Sequence, residues 1–400
     1  MMDDVMAAEG FFSDRLERQP PDALLALIGM FAADTRPGKI DLGVGVYKDE
    51  AGRTPVFKAV KAAEQHLHAT QPTKSYVGPE GDIAFCRLLA PYIFGAELAG
   101  NERMCAVQTP GGTGALRLGF DLLARADSSA TVHIGAPTWA NHPPIVRAAG
   151  LSTAEYRHID LATQQICFDE AVAALGLARR GDIVLLHGCC HNPVGADFTA
   201  EQWTQIAGVM ARRGLIPFID FAYHGLGDGL EEDAQGIRVV AAHCPELVVA
   251  YSCDKNFGLY RERVGALYVM VRDADTVQTV QSNLLSLARA NWSMPPDHGA
   301  AVARLILDNA EWTASWRAEL EEMRVRIASM RGRLAELDPQ LSFMADQKGM
   351  FSTLNLTPEQ VKALREDHAV YMARSGRINI AGQVPGNIEA FVNAVKAVRG

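Results

Sequence analysis

Four segments of the chain hold residue types at spacings that suit chemistry. In Tyr251-Ser252-Cys253-Asp254-Lys255-Asn256-Phe257-Gly258 a lysine follows the apolar run LVVAYS, and Arg263 stands eight residues beyond it. An amine at a strand end among small polar residues can condense with an aldehyde as a Schiff base, while Ser252 and Arg263 are groups that hold a phosphate. Alone, such a lysine is a solvated surface charge, and only its neighbours make it more. In Phe218-Ile219-Asp220-Phe221-Ala222-Tyr223 an acid ends an apolar run and a tyrosine follows three residues on. A carboxylate there can pair with a protonated ring nitrogen of a heterocycle, or serve as an ordinary helix cap. Thr109-Pro110-Gly111-Gly112-Thr113-Gly114 passes from a strand-like run to a helical one. Its glycines allow close backbone approach and its helix start favours an anion, although a tight turn explains the same residues. His187-Gly188-Cys189-Cys190-His191-Asn192-Pro193 offers zinc-ligand types. Adjacent cysteines at a strand end should point to opposite sides, and the spacing lacks the usual C-x₂-C pair, so no metal is expected. Asn192 is read instead as a hydrogen-bond donor to a bound ligand.

These segments need elements to position them. From about residue 105 to 272, short apolar runs alternate with helical patterns: MCAVQ, then GALRLGFDLLARA; TVHIG; DIVLLHG, then EQWTQIAGVMARRG; LIPFID; LVVAYS; GALYVMV. That order predicts an α/β fold with a mostly parallel sheet flanked by helices, its ligands at the carboxyl ends of the strands. After Pro296 the pattern turns helical, then closes on short strands around MFSTLNL, VYMAR and INIAG. Residues before about 55, with the Gly-rich GVGVYKDE, have no sheet of their own. They are expected to pack on the C-terminal part. The predicted organisation is a large domain over 55–310 and a smaller, discontinuous α/β domain from 1–54 and 311–400.

Composition narrows the partners. The 400 residues are 48% hydrophobic and 21% charged, enough for a large core in two domains. A net charge of -9 without a sustained Lys/Arg cluster argues against nucleic acid and anionic membranes. Seven cysteines, an odd number without a C-x-x-C pair, suit reduced thiols and a cytoplasmic location. The acidic opening MMDDVMAAEGFF is unlike a secretory signal, and no apolar run reaches the roughly 18 residues of a membrane span.

Taken in order, the segments RPGKIDLGVGVYKDE, KSYVGPEG, QTPGGTGALR, APTWANH, LHGCCHNPVGAD, FIDFAYHGLGDGLEEDA, KNFGLYRERVGALY, RANWSMPPDHGA and SGRINIAG resemble the aspartate and aromatic aminotransferases. These are class I, fold-type I pyridoxal-phosphate enzymes. The resemblance implies a seven-stranded sheet in the large domain, pyridoxal 5'-phosphate as cofactor, and amino and 2-oxo acids as substrates. It implies that Lys255 carries the cofactor aldehyde and shuttles the substrate proton. Asp220 would pair with the pyridine nitrogen, supported by His142, and Tyr223 and Asn192 would bond the phenolic oxygen. Trp139 would stack on the ring. The phosphate would be held by Gly112, Thr113, Ser252 and Arg263, with Tyr76 from a second subunit, which makes a homodimer with composite sites. Arg377 would clamp the substrate α-carboxylate, Arg289 of the second subunit a distal carboxylate, and Gly45 would line the substrate site beside Trp139 and Asn192.

Three positions depart from the family pattern. Asp254 replaces a serine just before the lysine, and its carboxylate should repel a phosphate unless it turns away or pairs with Arg263. His224 stands where glutamine is common, and Met294 where a small polar residue is common. Val46, Lys48, Thr54 and Thr113 look like the aspartate-preferring branch, so the expected reaction runs from L-aspartate to 2-oxoglutarate with some aromatic activity. Competing readings are an aromatic-preferring aminotransferase and a β-lyase or decarboxylase on the same scaffold. A nucleotide-dependent oxidoreductase would need a G-x-G-x-x-G turn that the chain lacks. A non-catalytic binding protein would have no use for the lysine, the acid and the two arginines.

Overall fold

The structure, a computed structural model, describes residues 11–13, 15–19 and 23–400. What was read from residues 1–10 of the acidic opening lies outside the described residues. Seven strands form the main sheet: β1 (Met104–Pro110), β2 (Thr131–Ala136), β3 (Ser152–Arg157), β4 (Ile183–His187), β5 (Ile216–Phe221), β6 (Leu247–Ser252) and β7 (Val264–Met270). Their spatial order is β1-β7-β6-β5-β4-β2-β3. Only β7 runs antiparallel to its neighbours β1 and β6, and the remaining pairs are parallel.

The inner strands are apolar because helices cover both faces. Every residue of β6 and β7 is buried. Consecutive residues Phe218 and Ile219 of β5 enter different core clusters, one on each side of the sheet. The strand β3 is absent from the apolar runs of the sequence. It lies at the sheet edge, its sequence STAEYR is mostly polar, and Tyr156 is its one buried residue. An edge strand with one covered face leaves no apolar run to read.

Helix α1 (Gly111–Ala126) leaves β1 directly and packs on β6 and β7. It sits close to the sheet: a Cβ on Gly119 would stand 2.4 Å from Phe218 Cζ, and the Phe120 and Phe218 rings are 4.6 Å apart. Helix α2 (Ala200–Arg213) opens with a capping box between Thr199 and Gln202 and closes on Gly214 at φ +65°. Such a cap is worth about 1 kcal/mol. The helical pattern after Pro296 divides at Asn309, whose side chain accepts from Trp312 N–H at 3.0 Å and starts α3 (Ala310–Leu337). On α3, Trp316, Leu320, Met323, Ile327, Met330 and Leu334 recur at helical spacing on the buried face. Trp316 stacks on Phe257 at 4.5 Å and donates to the Asn256 carbonyl at 2.7 Å, which ties α3 to the turn after Lys255.

The chain's opening segment joins its closing one. Ile40–Asp41 pairs in parallel with Val370–Tyr371, and Lys48 N–H donates to the Ala381 carbonyl at 2.9 Å. Phe351–Thr353 pairs antiparallel with Arg377–Asn379, placing Arg377 at a strand start. Among the described residues no helix is long and apolar enough to cross a membrane.

Candidate active site

The strands β4, β5 and β6 end side by side, and their carboxyl ends carry the groups singled out above. Asp220, next to last in β5, is buried. His142 Nε2 donates to Asp220 Oδ2 at 3.0 Å, and His142 Nδ1 faces Thr138 Oγ1 at 2.7 Å. Thr138 Oγ1 in turn faces His187 Nε2 at 3.2 Å. With neutral imidazoles the directions are forced: His187 donates to Thr138, Thr138 to His142, and His142 to Asp220. Burial holds His187 neutral by pushing its pKa down to about 3. Burial by itself would raise the Asp220 carboxyl. The hydrogen bond from His142 and the nearby Lys255 overcome that and hold it below the ordinary carboxylate value. Thr138 was not among the predicted site residues, because it does not differ by type or spacing from a core residue, and His187 stood out only as a zinc-ligand type.

Opposite this acid, Asn192 Nδ2 donates to the Tyr223 hydroxyl at 3.1 Å, while Asn192 Oδ1 is buried without a partner. Asp197 fixes the loop that carries Asn192, accepting from the backbone of Cys190 at 2.6 Å and of His191 at 2.8 Å. Lys255 Nζ lies 5.0 Å from the Tyr223 ring centre, with partial exposure to the cleft. Burial lowers its pKa, a change that the carboxylates of Asp254 and Asp220 moderate. Its turn is braced from behind. His224 Nε2 donates to the Leu230 carbonyl at 2.6 Å, its Nδ1 accepts from the Tyr251 hydroxyl at 2.9 Å, and that hydroxyl accepts from Asn256 Nδ2 at 2.6 Å. The histidine at the glutamine position is thereby a buried link in the support of the lysine.

Beside the lysine is a cradle. Gly111 adopts φ +71°, and a Cβ there would stand 2.5 Å from Arg263 Nη2; one on Gly112 would stand 2.9 Å from Ser252 Cβ. Only glycines let the start of α1, Ser252 and Arg263 close around one space, into which free N–H groups and the positive helix end point. Thr113 is exposed in the same first turn. Arg263 itself is held at φ +54° and pairs with Asp254 at 2.7 Å. Asp254 therefore pairs with the arginine rather than turning away.

A third group sits across the cleft. Arg377 donates through Nη2 to the Gly43 carbonyl at 2.9 Å, lies 4.7 Å over the Phe351 ring, and has a buried Nε without a partner. A Cβ on Gly45 would stand 2.8 Å from Phe351 Cζ, so any side chain there would displace the ring beneath the guanidinium. Arg331, a buried arginine unremarked in the sequence, donates to the carbonyls of Gly349 at 2.7 Å, Lys348 at 3.0 Å and Phe351 at 2.6 Å. It holds the Phe351 segment in shape. Trp139 meets His142 edge-on at 5.2 Å.

Two predicted residues stand apart. Tyr76 is 92% exposed, and Arg289 is exposed with its guanidinium on the Ser293 hydroxyl. Neither touches the cluster within one chain. The cysteine expectation needs correction: β4 ends at His187 and Cys190 takes φ +51°, so strand alternation no longer applies and both thiols converge with Asp233, all within 4.8 Å. Asp233 already accepts from the N–H groups of Gly225 and Asp228 at 2.8 Å and of Gly227 at 3.0 Å. Burial raises both thiols, Cys190 to about 12, which keeps them protonated and poor as ligands.

Comparison with known proteins agrees with this geometry. A family model described as aminotransferase class I and II matches residues 37–395. A tyrosine aminotransferase of Rhizobium meliloti (strain 1021) is 51% identical over 373 residues, covering 92% of this chain and 95% of that protein. An aspartate aminotransferase of Escherichia coli (strain K12) is 45% identical over 393 residues, covering 96% and 99%. The solved aromatic-amino-acid aminotransferase of Burkholderia pseudomallei, covalently bound to pyridoxal phosphate, superposes with a TM-score of 0.95 at 39% identity, covering 98% of this chain and 100% of that one.

Proposed function

The chain belongs to the class I and II aminotransferase family, and on that premise we propose that it moves the amino group of L-aspartate, and of aromatic amino acids, to 2-oxoglutarate. The observation that carries this reading is the meeting of three groups on adjacent strand ends: the Asp220–His142 pair, the Asn192–Tyr223 pair and Lys255. The family's cofactor is pyridoxal 5'-phosphate. When bound, it supplies an aldehyde for the amino group and a ring that takes up the electron pair left at the substrate Cα.

The chain's own groups fit that cofactor. Gly111 and Gly112 leave room at the start of α1 beside Ser252 and Arg263, and Arg377 Nε is a buried donor without a partner, as expected where the acceptors of a ligand complete the site. Asp220, held as a carboxylate, keeps a proton on the ring nitrogen. Tyr223 and Asn192 donate to the phenolic oxygen, and Trp139 covers the ring face. Gly112, Thr113, Ser252 and Arg263 hold the phosphate, joined by Tyr76 of a second copy. Lys255 would anchor the aldehyde, and its amine, eased toward the neutral form by burial, would move the proton at the substrate Cα. Arg377 clamps the α-carboxylate in a two-point contact, with Gly45 leaving room.

The exposure of Tyr76 and Arg289 supports a homodimer in which each subunit completes the other's site. Arg289 of the second copy would meet the distal carboxylate of a dicarboxylic substrate. The pairing of Ile40–Asp41 with Val370–Tyr371 supports a small domain built from 1–54 and 311–400 beside a large one over 55–310. Seven free cysteines, six of them buried, support a cytoplasmic setting.

Borohydride reduction of the loaded protein, followed by peptide mass mapping, tests the assignment. The account expects the phosphopyridoxyl group on Lys255. A group on any other lysine would overturn the reading.

A further inference from the structure

The arginine assigned to the phosphate already carries a carboxylate, that of Asp254. Asp254 is 7% exposed, and its Oδ2 accepts from Arg263 Nη1 at 2.7 Å. The same Nη1 donates to the Tyr260 carbonyl at 3.0 Å, and Asp254 N–H donates to Ser252 Oγ at 3.3 Å. Asp254 Oδ1 is buried without any hydrogen-bond partner. An unmatched carboxylate oxygen in a dry site is costly, and a phosphate oxygen cannot relieve it, because both atoms only accept.

Charge points the same way. A phosphate dianion and the Asp254 carboxylate together bring about -3, against about +1 from Arg263 and about +0.5 from the start of α1. The other charged or titratable groups facing Asp254 are Lys255, Tyr260 and Cys253. Burial keeps the last two neutral, and Lys255, which Asp254 helps to hold in its charged form, adds at most about +1, which still leaves the sum short of balance. One added proton would relieve a full unit of repulsion and turn two clashing acceptors into a hydrogen bond.

We propose that this cradle takes its phosphate ester together with one proton, held between Asp254 Oδ1 and a phosphate oxygen. The inference rests on the cofactor reading above and adds a property of this chain to it. The proton comes from solvent, no covalent bond changes, and Arg263 keeps Asp254 on Nη1 while Nη2 faces the ligand beside Gly111. A free phosphate monoester has its second pKa near about 6, so above that pH the extra proton must be taken up on binding. Affinity should then fall as pH rises, by up to about tenfold per pH unit.

Calorimetry with the full chain freed of cofactor tests this. The probe is pyridoxamine 5'-phosphate, which has the ring and the phosphate ester but no aldehyde to react with Lys255. Titrations at pH 8 in two buffers of different ionisation heat give the proton count. Wild type is expected to take up about one proton more than Asp254→Ser and Asp254→Asn, and to lose about tenfold more affinity per unit from pH 7 to 9 than either variant, the proton that Asp220 keeps on the ring being common to all three. Equal proton uptake in all three proteins, or a flat pH dependence of wild-type affinity, would overturn the inference and leave the cofactor reading standing. A flat wild-type pH series overturns the inference even if one variant does not fold, and the other variant supplies the comparison. Failure of wild type to bind the probe at all would overturn the cofactor reading, and this inference with it.

Discussion

The floor of the cleft and its rim are built differently. On the floor, Asp220, His142, Thr138 and His187 form a chain of hydrogen bonds that is complete within one subunit, with Asp220 and His142 buried and Thr138 and His187 partly so. On the rim, Tyr76 and Arg289 reach into solvent, and their proposed ligands lie in another copy of the chain. The floor is fixed by sheet geometry, since residues at neighbouring strand ends can hardly avoid one another. The rim is fixed only by assembly. Damage to the floor should therefore affect all substrates alike, whereas damage to the rim should sort substrates by their charge.

The sharpest break is at the floor. Lys255→Ala should abolish transamination in steady-state assays with every amino donor, because anchor and proton carrier vanish together. Turnover near wild type would dissolve the distinction between floor and rim. Asp220→Ala should lower kcat by several orders of magnitude with the circular dichroism spectrum unchanged, and Asp220→Asn nearly as far, since neither keeps the ring nitrogen protonated. A mild loss in both would reduce Asp220 to a structural acid.

The rim predicts a smaller and selective effect. Arg289→Ala should depress kcat/KM for aspartate and glutamate on the order of a hundredfold or more and spare phenylalanine and tyrosine, because only the dicarboxylates place a charge beside the missing guanidinium. Equal losses would make Arg289 an interface residue. Refolding a mixture of Arg289→Ala and Lys255→Ala chains sharpens the point. Half of a random mixture is mixed dimers, each with one intact composite site, so aspartate activity should return to about a quarter of wild type. No recovery would mean that the sites are not shared.

The smallest effect concerns the histidines behind the floor. Burial lowers His158 and His224 to about 4 and His187 to about 3. Their folded values lie below the unfolded one near 6.5, so the unfolded chain binds more protons on acidification, and stability present above about pH 6.5 is lost as pH falls toward 4. Tm should drop between pH 7 and pH 5, and less so in His158→Phe. Identical drops in both proteins would remove His158 from this account.

How much of this was legible in the sequence follows the same division. Lys255, Asp220, Asn192 and Tyr223 could be found because each follows an apolar strand run, and a parallel sheet brings such ends together. Thr138 and Arg331 could not, and His187 was read only as a possible metal ligand. Their importance lies in which atoms face them, and a buried arginine that bonds only backbone carbonyls and a serine hydroxyl looks like any helical arginine in sequence. The edge strand β3 was silent because its exposed face leaves no apolar pattern. The convergence of Cys189 and Cys190 escaped too, since a positive φ outside a strand has no signature in residue type unless the residue is glycine or asparagine. Tyr76 and Arg289 were singled out only through family resemblance, and a single chain gives them no partner at the site.

The central claim is that this cleft stores an amino group between two half-reactions. It is tested most directly by mixing the cofactor-loaded enzyme with aspartate alone and following absorbance and products together. The account predicts one equivalent of oxaloacetate per site, no ammonia, a stable spectral change, and return of the original spectrum only when 2-oxoglutarate is added. Continuous product formation from aspartate without a 2-oxo acid, with ammonia or alanine accumulating, would contradict it and make the enzyme a lyase or a decarboxylase.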